Sequence, residues 1–374
     1  MTNINLPVAM ENLETIFKLQ KEGKFNFVPI LKGTPGIGKT SFIKDLAKKL
    51  DYELYSVSGA KPMEFFSGLP ITDRAIAEDG EVGRAIWTQP ELIGHSNILN
   101  NKIKKPVLLF IDDIHLIGEA SDYLFELLLE KSLNSHKLNQ EIYILGASNT
   151  SSLSGYNGFP AAIVNRMMLM PVYLSFDTWY KNIGIGLNSY ITTFMRTNSE
   201  FINEKENTES PFGSFRSWTE YCVAFQEVIN GKSDEEVLEL VDIWAQSFVS
   251  ESAVTSLKTS ILTQQKFNFK NLLAKTKIPL PKKGTIEQII YSSIIKFCKT
   301  ELHFKKILKL ILDASNDKNH TYSTFLLNVI LDLVSLKEYL EIKEPKSDKI
   351  NFIEEILAEL TLIPELEEII LKYL

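Results

Sequence analysis

The stretch Gly33-Thr34-Pro35-Gly36-Ile37-Gly38-Lys39-Thr40-Ser41 decides how this chain reads. Just before it, Phe27 to Leu31 is a short apolar run with the character of a strand. After it, Phe42, Ile43, Leu46 and Leu50 recur at helical spacing. A glycine-rich turn between strand and helix has a specific use. Glycine admits backbone angles that aim several N–H groups at one point, and the helix N-terminus adds a dipole that favours an anion. Lys39 would carry charge to the β- and γ-phosphates of a nucleotide, and the Thr40 hydroxyl would ligate Mg²⁺. The plainer alternative, a glycine turn that only caps a helix, fits the strand–loop–helix context less well.

Working outward, Leu108-Leu109-Phe110-Ile111 is an apolar run that ends in Asp112-Asp113. A buried strand ending in two carboxylates can hold Mg²⁺ with the first and orient an attacking water with the second. Alone, the pattern is also that of an ordinary acidic turn; its position after the glycine loop gives it weight. Asn149 ends the run Ile142-Tyr-Ile-Leu-Gly-Ala-Ser-Asn149, where its amide could hydrogen-bond beside the γ-phosphate or simply shape a turn. Arg166 and Arg216 are forked donors suited to phosphate. Either could equally be a surface arginine.

The first half of the chain alternates strand and helix signals. Strands are expected at Phe27 to Leu31, Tyr52 to Val57, Val107 to Ile111, Ile142 to Gly146 and, after Pro171, Val172 to Leu174. Helices are expected at Thr40 to Leu50 and Ala120 to Leu133. This alternation predicts an α/β core on a parallel sheet. After about Trp179 the strand signals fade. Helical stretches follow at Ile183 to Phe201, Trp218 to Ile229, Glu235 to Val249, Ile286 to Leu312, Tyr322 to Leu340 and Ile350 to Leu374. Lys275 to Gly284, with two prolines among lysines, reads as a linker. The expected division is therefore 1–178, 179–274 and 275–374.

The chain's 374 residues exceed what one core organises, and its apolar share of 44% is that of a globular protein. A net charge of −7 disfavours a broad nucleic-acid surface. Cys222 and Cys298 sit among apolar residues and read as buried thiols. The five histidines have no ligand spacing, so no structural zinc is expected. No apolar run approaches the roughly 18 residues that span a bilayer, and the start has no signal-peptide pattern; a cytoplasmic protein without a membrane partner is expected.

The ordered set of glycine loop, Asp112-Asp113, Asn149, Arg166 and Arg216 resembles the AAA+ ATPases, and the words between them resemble the MoxR branch. Gly68-Leu-Pro70, Gly83-Arg-Ala-Ile-Trp87-Thr-Gln-Pro90, Phe125-Glu-Leu-Leu-Leu-Glu-Lys131 and Phe215-Arg216-Ser-Trp218 carry that likeness over roughly residues 6 to 250. It implies a P-loop NTPase (AAA+) core, an α-helical lid and an all-α C-terminal region. It also implies ATP and Mg²⁺ as cofactors, with Thr40 and Asp112 toward the metal. Asp113 and Asn149 would be catalytic. Arg166 would be a finger acting on the neighbouring subunit, and Arg216 would reach ATP from the lid. Residues 62 to 90 would include a pore-facing insert, and Ser132 to Asn139 a hairpin. This chain departs from the pattern at Asp113, where Glu is usual, and at Phe215, where Pro is usual.

The resulting expectation is an ATP-hydrolysing ring, of hexameric size, that remodels a protein client, with a von Willebrand factor A domain protein as one such partner. A nucleotide-gated scaffold with little turnover, because Asp113 is one methylene short, and a nucleic-acid motor are the alternatives.

Overall fold

The computed structural model describes residues 3–72, 85–88, 90–94, 105–133, 136–138, 141–149, 161–204, 210–282, 285–317 and 321–373. Two compact units result, Met1–Leu174 and Ser175–Leu374.

The first unit is built on a six-stranded parallel sheet. Its strands are β1 (Ile4–Asn5), β2 (Val28–Lys32), β3 (Glu53–Ser58), β4 (Val107–Asp112), β5 (Ile142–Ser148) and β6 (Met167–Tyr173), in the order β1-β6-β2-β5-β4-β3. From Val107 to Ile111 and from Ile142 to Ser148 every residue is buried, as strands covered on both faces require. Helix α1 (Leu6–Lys21) turns Leu6, Ala9, Leu13, Ile16 and Phe17 inward, and α2 (Lys39–Lys49) does so with Ile43, Leu46 and Ala47. Because all the strands run the same way, their carboxyl ends share one edge. Ser58 stands beside Asp112 there, and Lys32 beside Ser148.

Several expected boundaries move. The last strand is longer than Val172 to Leu174: it starts at Met167, pairing Met167 with Val28 and Pro171 with Lys32. Pro171, which cannot donate a ladder bond, lies inside this strand rather than just before it. It is accommodated where β6 pairs with β1 only at Val172 and Tyr173, so Pro171 lies short of that ladder. The helix expected from Ala120 to Leu133 shortens to α3 (Ser121–Glu130), preceded by a tight 3-10 turn, Ile114–Ala120. Lys131 then takes a left-handed backbone, φ 48, and Ser132–Leu133 pairs with His136–Lys137. The rest of the expected hairpin, residues 134–135 and 139, lies outside the described residues. So do residues 73–84 and 89 of the expected insert, of which Pro70–Thr72 is seen paired with Ala85–Trp87.

The second unit is helical throughout. Its helices are α4 (Phe176–Asn182), α5 (Ser189–Thr197), α6 (Phe215–Val228), α7 (Asp234–Ala245), α8 (Glu251–Gln265), α9 (Phe269–Ala274), α10 (Thr285–Ser292), α11 (Glu301–Ser315), α12 (Ser323–Lys343), α13 (Asp348–Leu360) and α14 (Pro364–Tyr373). The run Ile286 to Leu312 is not one helix. It breaks after Phe297, and Thr300 caps α11 by accepting from the His303 N–H. Pro364 opens α14, where a missing N–H costs nothing, and so divides the run Ile350 to Leu374.

Within this unit a buried ion pair joins residues far apart in sequence. Arg196 on α5 donates to both oxygens of Asp332 on α12, at 2.5 and 3.3 Å, and to Ser292 Oγ at 3.1 Å. The guanidinium lies 4.5 Å from the Tyr180 ring centre and 5.5 Å from that of Phe176. Burial is the largest single influence and opposes its charge, but Asp332, Tyr180 and Asp177 together outweigh it, so its pKa sits above the ordinary value. Lys296 donates to Thr192 Oγ1 at 3.0 Å in the same region. No helix among the described residues is long and apolar enough to cross a membrane.

Candidate phosphate-binding site

The glycine loop leaves the carboxyl end of β2. Gly36 and Gly38 have φ of 77 and 88, the left-handed region that glycine alone enters without strain. Gly38 is the N-cap of α2, so the loop's turn and the helix start are one feature. Gly33 is required for a different reason. Its N–H donates to the Ser148 carbonyl at 3.1 Å, and a Cβ there would stand 2.7 Å from the Val172 carbonyl oxygen. Two neighbouring strands thus clamp the start of the loop.

Lys39 is 7% exposed. Its ammonium donates to the carbonyls of Gly33 and Thr34, at 2.8 and 3.1 Å, and to Asn149 Oδ1 at 3.0 Å. Thr40 Oγ1 donates to Asp112 Oδ2 at 2.8 Å. Asn149 Nδ2 donates to Asp113 Oδ1 at 3.3 Å, and the Asp113 N–H donates to Asp112 Oδ1 at 3.1 Å. Lys39, Thr40, Asp112, Asp113 and Asn149 therefore meet at one edge of the sheet through direct contacts. Asp113 itself has φ 49, a backbone region that Asp tolerates better than most residues.

Arg166 lies at the other end of the same sheet. Its carbonyl accepts from the Val28 N–H, and β6 begins at the next residue. The phosphate loop starts five residues after Val28, roughly 16 Å along a strand. That exceeds the reach of an arginine side chain, so Arg166 does not join its own chain's loop. Arg216 belongs to the second unit. It is exposed in the first turn of α6, behind an N-cap where Ser214 and Ser217 exchange hydrogen bonds. Phe215, at the position where proline was expected, is buried with its ring 5.8 Å from that of Trp179.

Three contributors were not foreseen. Gly59 follows β3; its N–H donates to the Asp112 carbonyl at 2.7 Å, and a Cβ there would lie 2.3 Å from the Asp113 carbonyl. The available signal is a glycine directly after a strand. His115 and Ser148 are buried side by side behind the acidic pair. Nothing in their spacing of 33 residues announces that pairing.

The residues fit a nucleotide with Mg²⁺: a loop of left-handed glycines ahead of a helix start, an ammonium held by exchangeable oxygens, and a hydroxyl and a carboxylate in contact. Residues 29–169 match the family model described as ATPase family associated with various cellular activities (AAA). The matched residues lie within the first unit, and the architecture is a parallel-sheet AAA+ core followed by a helical region. No curated protein matches the chain in sequence. Among solved structures it is similar to RuvB of Thermotoga maritima, the Holliday junction branch migration motor, at 14% identity and a TM-score of 0.32, covering 71% of this chain and 73% of that one. Two variants of the same protein match at 14% and 13% identity, with TM-scores of 0.34 and 0.36, over 71% and 72% of this chain and 75% of each of theirs. Likeness at that level says nothing of what this chain acts on.

Proposed function

We propose that this chain binds and hydrolyses ATP as a MoxR-like AAA+ protein, assembles head to tail into a ring, and remodels a protein client. The observation that carries the reading is the meeting of Lys39, Thr40, Asp112, Asp113 and Asn149 at the carboxyl edge of the sheet. The loop from Gly33 to Ser41 would hold the phosphates, and Lys39 would exchange neutral oxygens for charged ones. Thr40 and Asp112 would hold Mg²⁺, which supplies neutralisation of phosphate charge. Asp113 would orient the attacking water and accept its proton, with the Asn149 amide holding the carboxylate in position. Arg216 would approach the nucleotide from the helical unit, with residues 179–274 as lid and 275–374 as extension.

The distance of Arg166 from its own loop supports a role in trans. A finger supplied by the next subunit stabilises transition-state charge and is worth about 10³–10⁵ in rate. A head-to-tail contact that closes produces a ring, with a hexamer as the expected size. Arg166→Ala should therefore bind ATP and hydrolyse it poorly. Co-assembly with Lys39→Ala should restore part of the phosphate release, because some interfaces then join an intact loop to an intact finger. Normal turnover by Arg166→Ala alone rejects the finger. A client, with von Willebrand factor A domain proteins as first candidates, is sought by affinity capture on Asp113→Asn.

One observation favours a second reading. The short Asp113 side chain on a left-handed backbone suits a nucleotide-gated scaffold with little turnover. Tight ATP binding by the wild-type chain with background phosphate release would select it.

A further inference from the structure

The 3-10 turn that follows Asp113 lies across one face of β5, and the fit is residue by residue. Gly146 and Ser148 are two apart on that strand and so point to the same face. Ile30 and Ile114 together fill the space at Gly146, where a Cβ would meet their Cδ1 atoms at 2.6 and 3.0 Å. His115, the next residue, puts Nδ1 3.4 Å from Ser148 Oγ. All three side chains at this seam are buried: Ile114 at 0%, His115 at 8% and Ser148 at 1% exposure.

Ser148 has further ties. Its carbonyl accepts from Gly33 at the start of the phosphate loop, and its hydroxyl donates to the Asn149 carbonyl at 3.3 Å. The seam therefore joins the segment that carries Asp113 to the strand end that carries Asn149. Their own contact, Asn149 Nδ2 to Asp113 Oδ1 at 3.3 Å, is at the long end of the useful range and depends on how the two backbones are held.

We infer that His115 is a positioning residue, which through Ser148 sets the separation of Asn149 and Asp113 and thereby the rate of hydrolysis. The inference rests on the hydrolytic reading above. Either His115 or Ser148 can donate in the bond; while the Ser148 proton is on the Asn149 carbonyl, the donor is His115 Nδ1–H. A buried hydroxyl opposite a ring nitrogen is also a pair that an apolar side chain would break without leaving space.

The test uses the full chain and four proteins: wild type, Ser148→Ala, His115→Phe and His115→Asn. Phosphate release at saturating ATP gives kcat, titration with a fluorescent ATP analogue gives Kd, and thermal unfolding reports folding. Displacements of an ångström in a catalytic constellation cost up to about 10²-fold in rate. A fall of about tenfold or more in kcat is expected for Ser148→Ala and His115→Phe, with Kd within about a factor of two. His115→Asn, whose amide can stand near the Nδ1 position, should recover most of the rate. The double variant Ser148→Ala/His115→Phe should be no slower than the worse single one, since both break the same bond.

If His115→Phe does not fold, Ser148→Ala decides, because it removes one oxygen only. Full kcat in folded Ser148→Ala overturns the inference, as does a change in Kd with kcat intact, which would move the role to the phosphate loop. A wild-type chain that binds ATP without releasing phosphate overturns the hydrolytic reading, and the inference falls with it. Wild-type turnover with silent variants overturns the inference alone.

Discussion

Two polar clusters, one in each unit, treat a buried cation in opposite ways. In the first unit, the partners of Lys39 include two backbone carbonyls and an amide oxygen. In the second, Arg196 meets a carboxylate through two hydrogen bonds and stands beside two aromatic rings, those of Tyr180 and Phe176. Neutral oxygens on a glycine loop can be exchanged for phosphate oxygens at small cost. A buried carboxylate facing a guanidinium cannot be exchanged, because removing it leaves an uncompensated charge in low dielectric. The first arrangement suits a site that binds and releases; the second fixes how helices pack. The lesson is that burial and charge alone do not mark a functional site. The nature of the partners does.

The comparison is broken most severely at Lys39. Lys39→Ala should abolish ATP binding, measured by fluorescent nucleotide titration, with little change in thermal stability. An unchanged affinity would remove the phosphate-loop assignment. Next comes Asp113→Asn, which should retain binding and lose about 10²–10⁴ in kcat, the usual contribution of a general base. Asp113→Glu should preserve or raise turnover. If the Asn variant turns over normally, the base lies elsewhere and Asp113 is only a turn residue.

Asp332→Ala sharpens the contrast from the other side. Removing one partner of a buried pair costs about 3–5 kcal/mol, so urea unfolding should shift to lower concentration. Nucleotide affinity in the first unit should stay as in the wild type. An unchanged unfolding curve would mean that the Arg196 cluster contributes nothing to holding the helices.

The smallest effect concerns pH. Burial pushes the Lys296 ammonium down to about 8 from its ordinary 10.5; Asp332 and Cys222 work against that and Arg196 with it. Between those values the unfolded chain holds the proton and the folded chain does not. Stability traceable to Lys296 therefore rises with pH from about 8 to 10.5, and the penalty of its charge is fully present below about 8. The melting temperature of wild type minus that of Lys296→Met should grow across pH 8 to 10. A flat difference would show that the ammonium is not desolvated.

Much of the first unit was legible because its signals are local. The loop Gly33 to Ser41, the run ending in Asp112-Asp113 and the strand opening at Ile142 each announce themselves within ten residues; the strands are seen where expected, the last running two residues past Gly146 to Ser148. What was missed depends on distant neighbours. The last strand was expected only after Pro171, although a strand tolerates proline where one ladder is short. Helix α8 (Glu251–Gln265) is rich in Ser and Thr and has a weak apolar stripe, so its tertiary packing carries what its pattern does not. Phe215 looked like a defect at a helix start. In the fold its ring is anchored against Trp179, while Ser214 supplies the cap.

The sequence by itself determined the chemistry of the site. Glycines that permit left-handed turns, a lysine and threonine at a helix start, and carboxylates after an apolar strand are properties of residue type and spacing. Only the tertiary structure decided their alignment. The parallel register brings Asp112 to Thr40 across 72 residues and Asn149 to Lys39 across 110. The same register sets Arg166 at the opposite edge, because a parallel sheet gathers every carboxyl end on one side and every amino end on the other.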